Sequence, residues 1–321
     1  MSHDITGLHH VGHIVADIGA SAEIYRRLGF HVSPPGFPAW RDDPAQSGNK
    51  LVPFGAGNAH IDFRHDFVEL VTAGGADLPA DARLIPIDVP VDRREATFGA
   101  IRATSAYIGE FLARFEGLHI TMFESPDPWA TAERLDRAQI AYRGVHHISR
   151  PVWTEDGRVS TEAASYLGFG ADARMPEGRV GAASNAPPAV REARKIPAHA
   201  NGATSLTDSA LCVPDAELDA HATRYSALLD REPRRVDHGR IFELGASTLT
   251  LVRASRLNRL LPGTVAPGLP AFVSFTTAVT DLDATVDLLR GNGFNIGRTL
   301  GGDPFVPAAQ TTGATVVFTR A

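Results

Sequence analysis

Four stretches of this chain repeat the same order of features: a short apolar strand, an acidic residue, then an amphipathic helix. They run over 10–29, 119–138, 209–229 and 272–294, with Asp17, Asp127, Asp215 and Asp281 at the junctions. An acid there satisfies the free N–H groups and the positive end of the helix dipole. Apolar residues recur at three- and four-residue intervals in each helix, as one buried face requires. Gly29 and Gly293 end the first and fourth helices. Each unit also closes on an apolar strand, at 67–72, 179–184, 248–253 and 315–319. Self-similarity of this kind constrains the fold more than any composition does. A βαβββ unit leaves one sheet face open, so it needs a partner, and four units make two pairs. The expected architecture is α+β, in two domains. The first, 1–190, holds modules at 8–73 and 118–185 joined by a helical insert at 74–117. The second, 200–321, holds modules at 206–254 and 270–321. The break falls in 185–203, which contains Pro187, Pro188, Pro197 and the turn pair Asn201-Gly202. Within the insert, 102–115 predicts an extra helix.

The 321 residues are 43% hydrophobic and 21% charged, an ordinary soluble composition. A net charge of −6 argues against a nucleic-acid partner. No apolar run approaches the roughly 18 residues of a membrane span. The N-terminus has neither the basic nor the apolar region of a secretory signal. The one cysteine, Cys212, lies in an apolar run and reads as a buried structural thiol, which fits a reducing cytoplasm. The chain has no phosphate-binding glycine loop, no GxSxG elbow and no CxxC pair.

The opening Leu8-His-His-Val-Gly-His-Ile-Val-Ala-Asp17 and the closing Phe67-Val-Glu-Leu-Val71 resemble the two ends of a glyoxalase-fold module. So does 117–127 for the second unit. Met175-Pro-Glu-Gly-Arg-Val180, followed by His199-Ala-Asn-Gly-Ala203, is similar to a two-domain glyoxalase-like subfamily. The chain thus resembles the vicinal oxygen chelate superfamily over nearly its whole length. That resemblance implies a divalent metal (Fe, Mn, Ni or Zn) between paired units, held by the first and last strands of each. His10 falls on the first ligand position and Glu69 on the second. Strand alternation agrees: His10, Gly12 and Ile14 share one face, and Glu69 opposes Val68 and Leu70. A carboxylate in an apolar strand needs a partner. Alone, His10 reads as a hydrogen-bonded core histidine; with Glu69 it reads as a ligand.

The second module departs from the pattern. His119 precedes Asp127 by eight residues, whereas His10 precedes Asp17 by seven. A one-residue slip turns a side chain to the other face, and Ile120 occupies the strict equivalent. A β-bulge between His119 and Phe123 would restore His119 as a ligand. The fourth position falls to Ala183 or Ser184. In the C-terminal half Asp208, Thr250, Ser274 and Val317 stand at the four positions, and that half reads as structural or as a wall for the ligand.

Other residues extend the candidate list. His146 and His147 lie on a strand of module two, where one of them points to the cavity as a general acid/base or a further ligand. Arg143 and Arg150 could clamp an anionic substrate. His60, Asp62 and Arg64 alternate on one strand, as a polar face or as pocket lining. Two histidines and a carboxylate with open positions suit metal-assisted lyase, isomerase or dioxygenase chemistry on a small molecule with adjacent oxygens. The alternative is a metal-free protein that sequesters a small molecule or works by acid/base residues alone, Glu69 among them. A homodimer is compatible with either.

Overall fold

The structure is a computed structural model that describes residues 3–41, 50–75, 77–87, 89–153, 159–171 and 173–321. Module one is β1 (Gly7–Ile14), α1 (Ile18–Arg27), β2 (Gly36–Trp40), β3 (Val52–Pro53), β4 (Gly57–Asp62) and β5 (Phe67–Thr72). A connection of β6 (Arg83–Pro86) and α2 (Val91–Arg114) follows. Module two is β7 (Gly117–Glu124), α3 (Pro128–Arg137), β8 (Tyr142–Trp153), β9 (Val159–Phe169) and β10 (Arg179–Ala183). The short α4 (Pro188–Ala193) leads to module three: β11 (Ala203–Val213), α5 (Leu218–Leu229), β12 (Arg234–Val236), β13 (Gly239–Glu243) and β14 (Thr248–Arg253). Then come α6 (Ala254–Leu260) and module four: β15 (Ala271–Val279), α7 (Leu282–Gly291), β16 (Gly297–Arg298), β17 (Pro304–Val306) and β18 (Thr315–Arg320). Among the described residues no helix is long and apolar enough to cross a membrane.

The junction acids work as the repeat predicts in three modules. Asp17 accepts from Ala20 N at 2.9 Å, Asp127 from Trp129 N at 3.0 Å, and Asp281 from Ala284 N at 3.0 Å. Module three differs. Asp215 sits in a 3₁₀ turn and accepts from Ser255 N at 3.0 Å, so it ties α6 down and leaves its own helix without a side-chain cap. The helix predicted at 102–115 is the second half of the 24-residue α2. Its first turns carry Asp92, Arg93, Arg94 and Glu95, which hide the apolar period there.

Strand pairing reproduces the module scheme. β1 runs parallel to β5 and antiparallel to β7, which is parallel to β10. In the C-terminal half β11 runs parallel to β14 and antiparallel to β15, which is parallel to β18. Each half is therefore a pair of βαβββ units joined through their first strands. Packing is continuous from one half to the other: Tyr25 of α1 stacks on Phe275 at 6.5 Å, and Phe30 on Phe318 at 6.1 Å. Buried Glu177 takes both Arg224 Nη2, at 2.7 Å, and Tyr225 Oη, at 2.6 Å, across the same junction. Cys212 is buried, and burial pushes its thiol up to about 12.

Each of the four first strands carries an extra residue just before its cavity position, where it meets its antiparallel partner, and β11 carries a second at Thr204. In β1 the register steps from Leu8 to His10, and in β7 from Leu118 to Ile120. In β11 it steps from Leu206 to Asp208, and in β15 from Phe272 to Ser274. The residues left over are His9, His119, Thr207 and Val273. A bulge thus precedes the same position in every module. His119 is the counterpart of His9, and Ile120 is the counterpart of His10.

Candidate functional site

Glu69 lies near the centre of a two-lobed cavity in the N-terminal half, with lobes of about 320 and 300 Å³. Asn58, Glu69, Ile120 and Arg179 line both lobes and form the waist between them. The inner lobe runs under α2, against Tyr107, Ile108 and Phe111. The outer lobe is lined by His9, His10, His60, Phe67, Ser165 and Tyr166, among others.

The cross-strand register explains how these residues meet. His60 on β4 faces Glu69 on β5, and Glu69 faces Gly12 on β1. Gly12 faces Ile120 on β7, and Ile120 faces Arg179 on β10. Asn58 Nδ2 donates to Glu69 Oε1 at 2.8 Å, and His60 Nε2 stands 3.7 Å from the same oxygen. Oε2 takes no hydrogen bond from the described residues. Burial alone would push the Glu69 carboxyl up, but hydrogen bonding and charge from His60, with His10 and Asn58, hold it down at about 2. It is a fixed negative charge at neutral pH.

His10 is its neutral neighbour. Burial is the main reason its imidazole lies well below the ordinary histidine range; His9 and Arg179 add to this and Glu69 opposes it. Its Nδ1 is 2.7 Å from His9 Nδ1, and its ring stacks on Phe67 at 4.4 Å. Nε2 carries no hydrogen bond from the described residues. Arg179 stands over the Tyr166 ring at 5.3 Å, and no carboxylate among the described residues pairs with it. It is an available guanidinium at the waist of the cavity.

The remaining sequence candidates lie elsewhere. His119 is buried between Phe111 and Phe115, with ring centroids 4.9 and 4.1 Å away, and its Nε2 is 2.9 Å from Phe115 O. It does not line the cavity; Ile120 does. The bulge in β7 lies at His119 itself, between Leu118 and Ile120, rather than between His119 and Phe123 as expected, and the ring turns towards α2. His146 and His147 are exposed and do not line the cavity: His146 lies against Tyr166 at 5.4 Å, and His147 packs on Trp129 at 4.8 Å with its Nδ1 3.1 Å from Ser165 Oγ. Arg143 is exposed on the same strand. The Arg150 side chain is outside the described residues. His13 is structural, held by Tyr25 Oη at 2.9 Å and Thr312 O at 2.7 Å. Sequence reasoning gave no weight to Arg179 or Asn58, whose roles arise only once β4, β5 and β10 are paired.

A metal centre of the resembled kind takes ligands from the first and last strands of both modules. The register assigns those positions to His10, Glu69, Ile120 and Gly181, the last replacing the expected Ala183 or Ser184. Ile120 and Gly181 have no donor atoms. The Ile120 side chain lies over Gly12, so that a Cβ there would sit 2.6 Å from it. A Cβ on Gly181 would sit 2.2 Å from Leu167 O. Among the described residues no three His, Cys, Asp or Glu side chains cluster as a metal site requires. The residues present do not fit a four-ligand metal centre.

The sequence model of the glyoxalase-like domain matches residues 8–229, about two thirds of the chain. The chain belongs to the glyoxalase-like domain family. No curated protein sequence matches this glyoxalase-like chain. Three solved structures share its fold at low identity. A hypothetical protein from Staphylococcus aureus is 9% identical, covering 98% of this chain and 99% of its own, with a TM-score of 0.55. A mutant 4-hydroxymandelate synthase from Streptomyces coelicolor is 14% identical, covering 98% and 92%, also at 0.55. The Mn(II)-bound glyoxalase from Novosphingobium aromaticivorans is 13% identical, covering 99% and 83%, at 0.51.

Proposed function

We propose that this glyoxalase-like protein takes a small anionic molecule into its N-terminal cavity and exchanges a proton with it without a four-ligand metal centre. The observation that carries the reading is the waist: Arg179, without a carboxylate partner among the described residues, lines it with ionised Glu69 and is close to neutral His10. A guanidinium binds a carboxylate or phosphate bidentately. His10 Nε2 is then the group that takes up a proton from the bound molecule, and the Glu69 charge stabilises the imidazolium formed. Asn58 and His60 fix the Glu69 carboxylate through Oε1, so its charge is held in place for that step. Tyr107, Ile108 and Phe111 of α2 line this space on one side, and Tyr166 and Phe67 line it on the other.

The test is ligand-observed NMR with a panel of small monocarboxylates and phosphate monoesters. Binders that are lost in Arg179→Ala and kept in Arg143→Ala support the reading. Binding independent of Arg179 contradicts it. A metal-dependent lyase, isomerase or dioxygenase is the second reading, favoured by His10 and Glu69 at the two first-module positions. It requires an ion held by half of the family's ligand set.

A further inference from the structure

A second cavity, of about 450 Å³, occupies the corresponding place in the C-terminal half. The four module positions of that half, Asp208, Thr250, Ser274 and Val317, all line it. Its chemistry is the reverse of the N-terminal one. Two carboxylates, Asp208 and Asp303, line the space, and no lysine or arginine among the described residues does. Asp208 Oδ1 accepts from Thr248 Oγ1 at 2.5 Å and from Thr250 Oγ1 at 2.8 Å, while Oδ2 takes nothing from the described residues. Burial pushes the Asp208 carboxyl up to about 6 against those two hydrogen bonds, and the acid Glu243 adds to the rise. His238, also in the wall, has its imidazole below the ordinary histidine range chiefly through burial. Leu260 and Leu261 at the end of α6, with Leu300 bonded through its N–H to Leu260 O at 2.9 Å, give the cavity an apolar wall.

We propose that this C-terminal cavity is a second binding site, for a small organic cation: an amine whose ammonium group sits on Asp208 and whose apolar body lies against Leu260, Leu261 and Leu300. A part-buried carboxylate that lines a cavity and is given no protein cation lacks a counter-charge that a ligand can supply. An anion is repelled by both aspartates. A neutral polyol satisfies hydroxyls but leaves the charge uncompensated. A hydrated inorganic ion leaves the leucine wall wet. The inference is independent of what binds in the N-terminal cavity.

Isothermal titration of the full chain with phenethylamine, and with 2-phenylethanol as its uncharged analogue, tests the proposal. Expected are one phenethylamine per chain and at least ~10-fold weaker binding of the alcohol, as loss of one partner of a buried ion pair implies. Asp208→Asn should weaken the amine by a similar factor, while Glu69→Gln leaves it bound, which separates this site from the N-terminal cavity. Affinity should fall as pH drops below the Asp208 value of about 6, because the protonated acid no longer holds a cation. If Asp208→Asn does not fold, Ala210→Leu narrows the cavity without touching the charge and should abolish binding. No binding of phenethylamine, equal binding of the alcohol, or affinity unchanged in a folded cavity variant would overturn the proposal.

Discussion

Glu69 shows how a residue's role depends on what its neighbours lack. Its counterpart in the second module is a glycine, and the counterpart of His10 is an isoleucine that lies over Gly12. Gly12 and Ile120 therefore form a matched pair. Gly12→Ala should destabilise the fold by about 1–3 kcal/mol through overpacking. The cost should shrink when combined with Ile120→Gly, which removes the Cβ that makes the nearest contact; urea denaturation of the double-mutant cycle measures it. Additive effects would mean that the two side chains do not compete for one space. At the cavity waist, Arg179→Lys keeps the charge and loses the planar fork. It should weaken a bound carboxylate by roughly tenfold, less than Arg179→Ala does, as titration of any ligand from the panel would show.

At the scale of the elements, the opening strands, the junction acids and the closing strands were legible because each leaves a local mark: an apolar run, a capping acid, a two-residue alternation. Glu69 could be placed from the sequence for the same reason. The bulge was harder to place. One residue inserted before the cavity position shifts the register without changing composition: the spacing to Asp127 sets Ile120 level with His10, but it does not show that His119 is the bulged counterpart of His9. Asn58, His60 and Arg179 come together only through the pairing of β4 with β5 and of β7 with β10, which no window along the chain contains. His119→Phe makes the bulge testable. The ring would keep its place between Phe111 and Phe115 and lose its hydrogen bond to Phe115 O. Stability should change by about 1 kcal/mol, and ligand affinity in the N-terminal cavity should not change. A large loss of affinity would mean that His119 reaches the ligand.

For the whole molecule, the junction between the halves contains a titrating group. Asp66, buried beside β11, accepts from Leu206 N at 2.7 Å, and burial pushes its carboxyl up to about 8. The unfolded chain gives up this proton near pH 4, whereas the folded chain keeps it to about 8. Stability from this group is therefore complete at low pH and lost as pH rises through that window. Asp66→Asn should be more stable than the wild type at pH 8, with the difference closing towards pH 4 in thermal melts. A constant difference would place the effect in packing rather than in titration.

The central claim is that the N-terminal cavity works through Arg179, His10 and Glu69 without the four-ligand metal of the resembled fold. Elemental mass spectrometry, on untagged protein incubated with Fe, Mn, Ni or Zn and then desalted, tests it most directly. The account predicts well under one metal per chain, with no difference in a His10→Ala/Glu69→Ala variant. About one metal per chain in the wild type, lost in that variant, would contradict it and establish the metal-dependent reading.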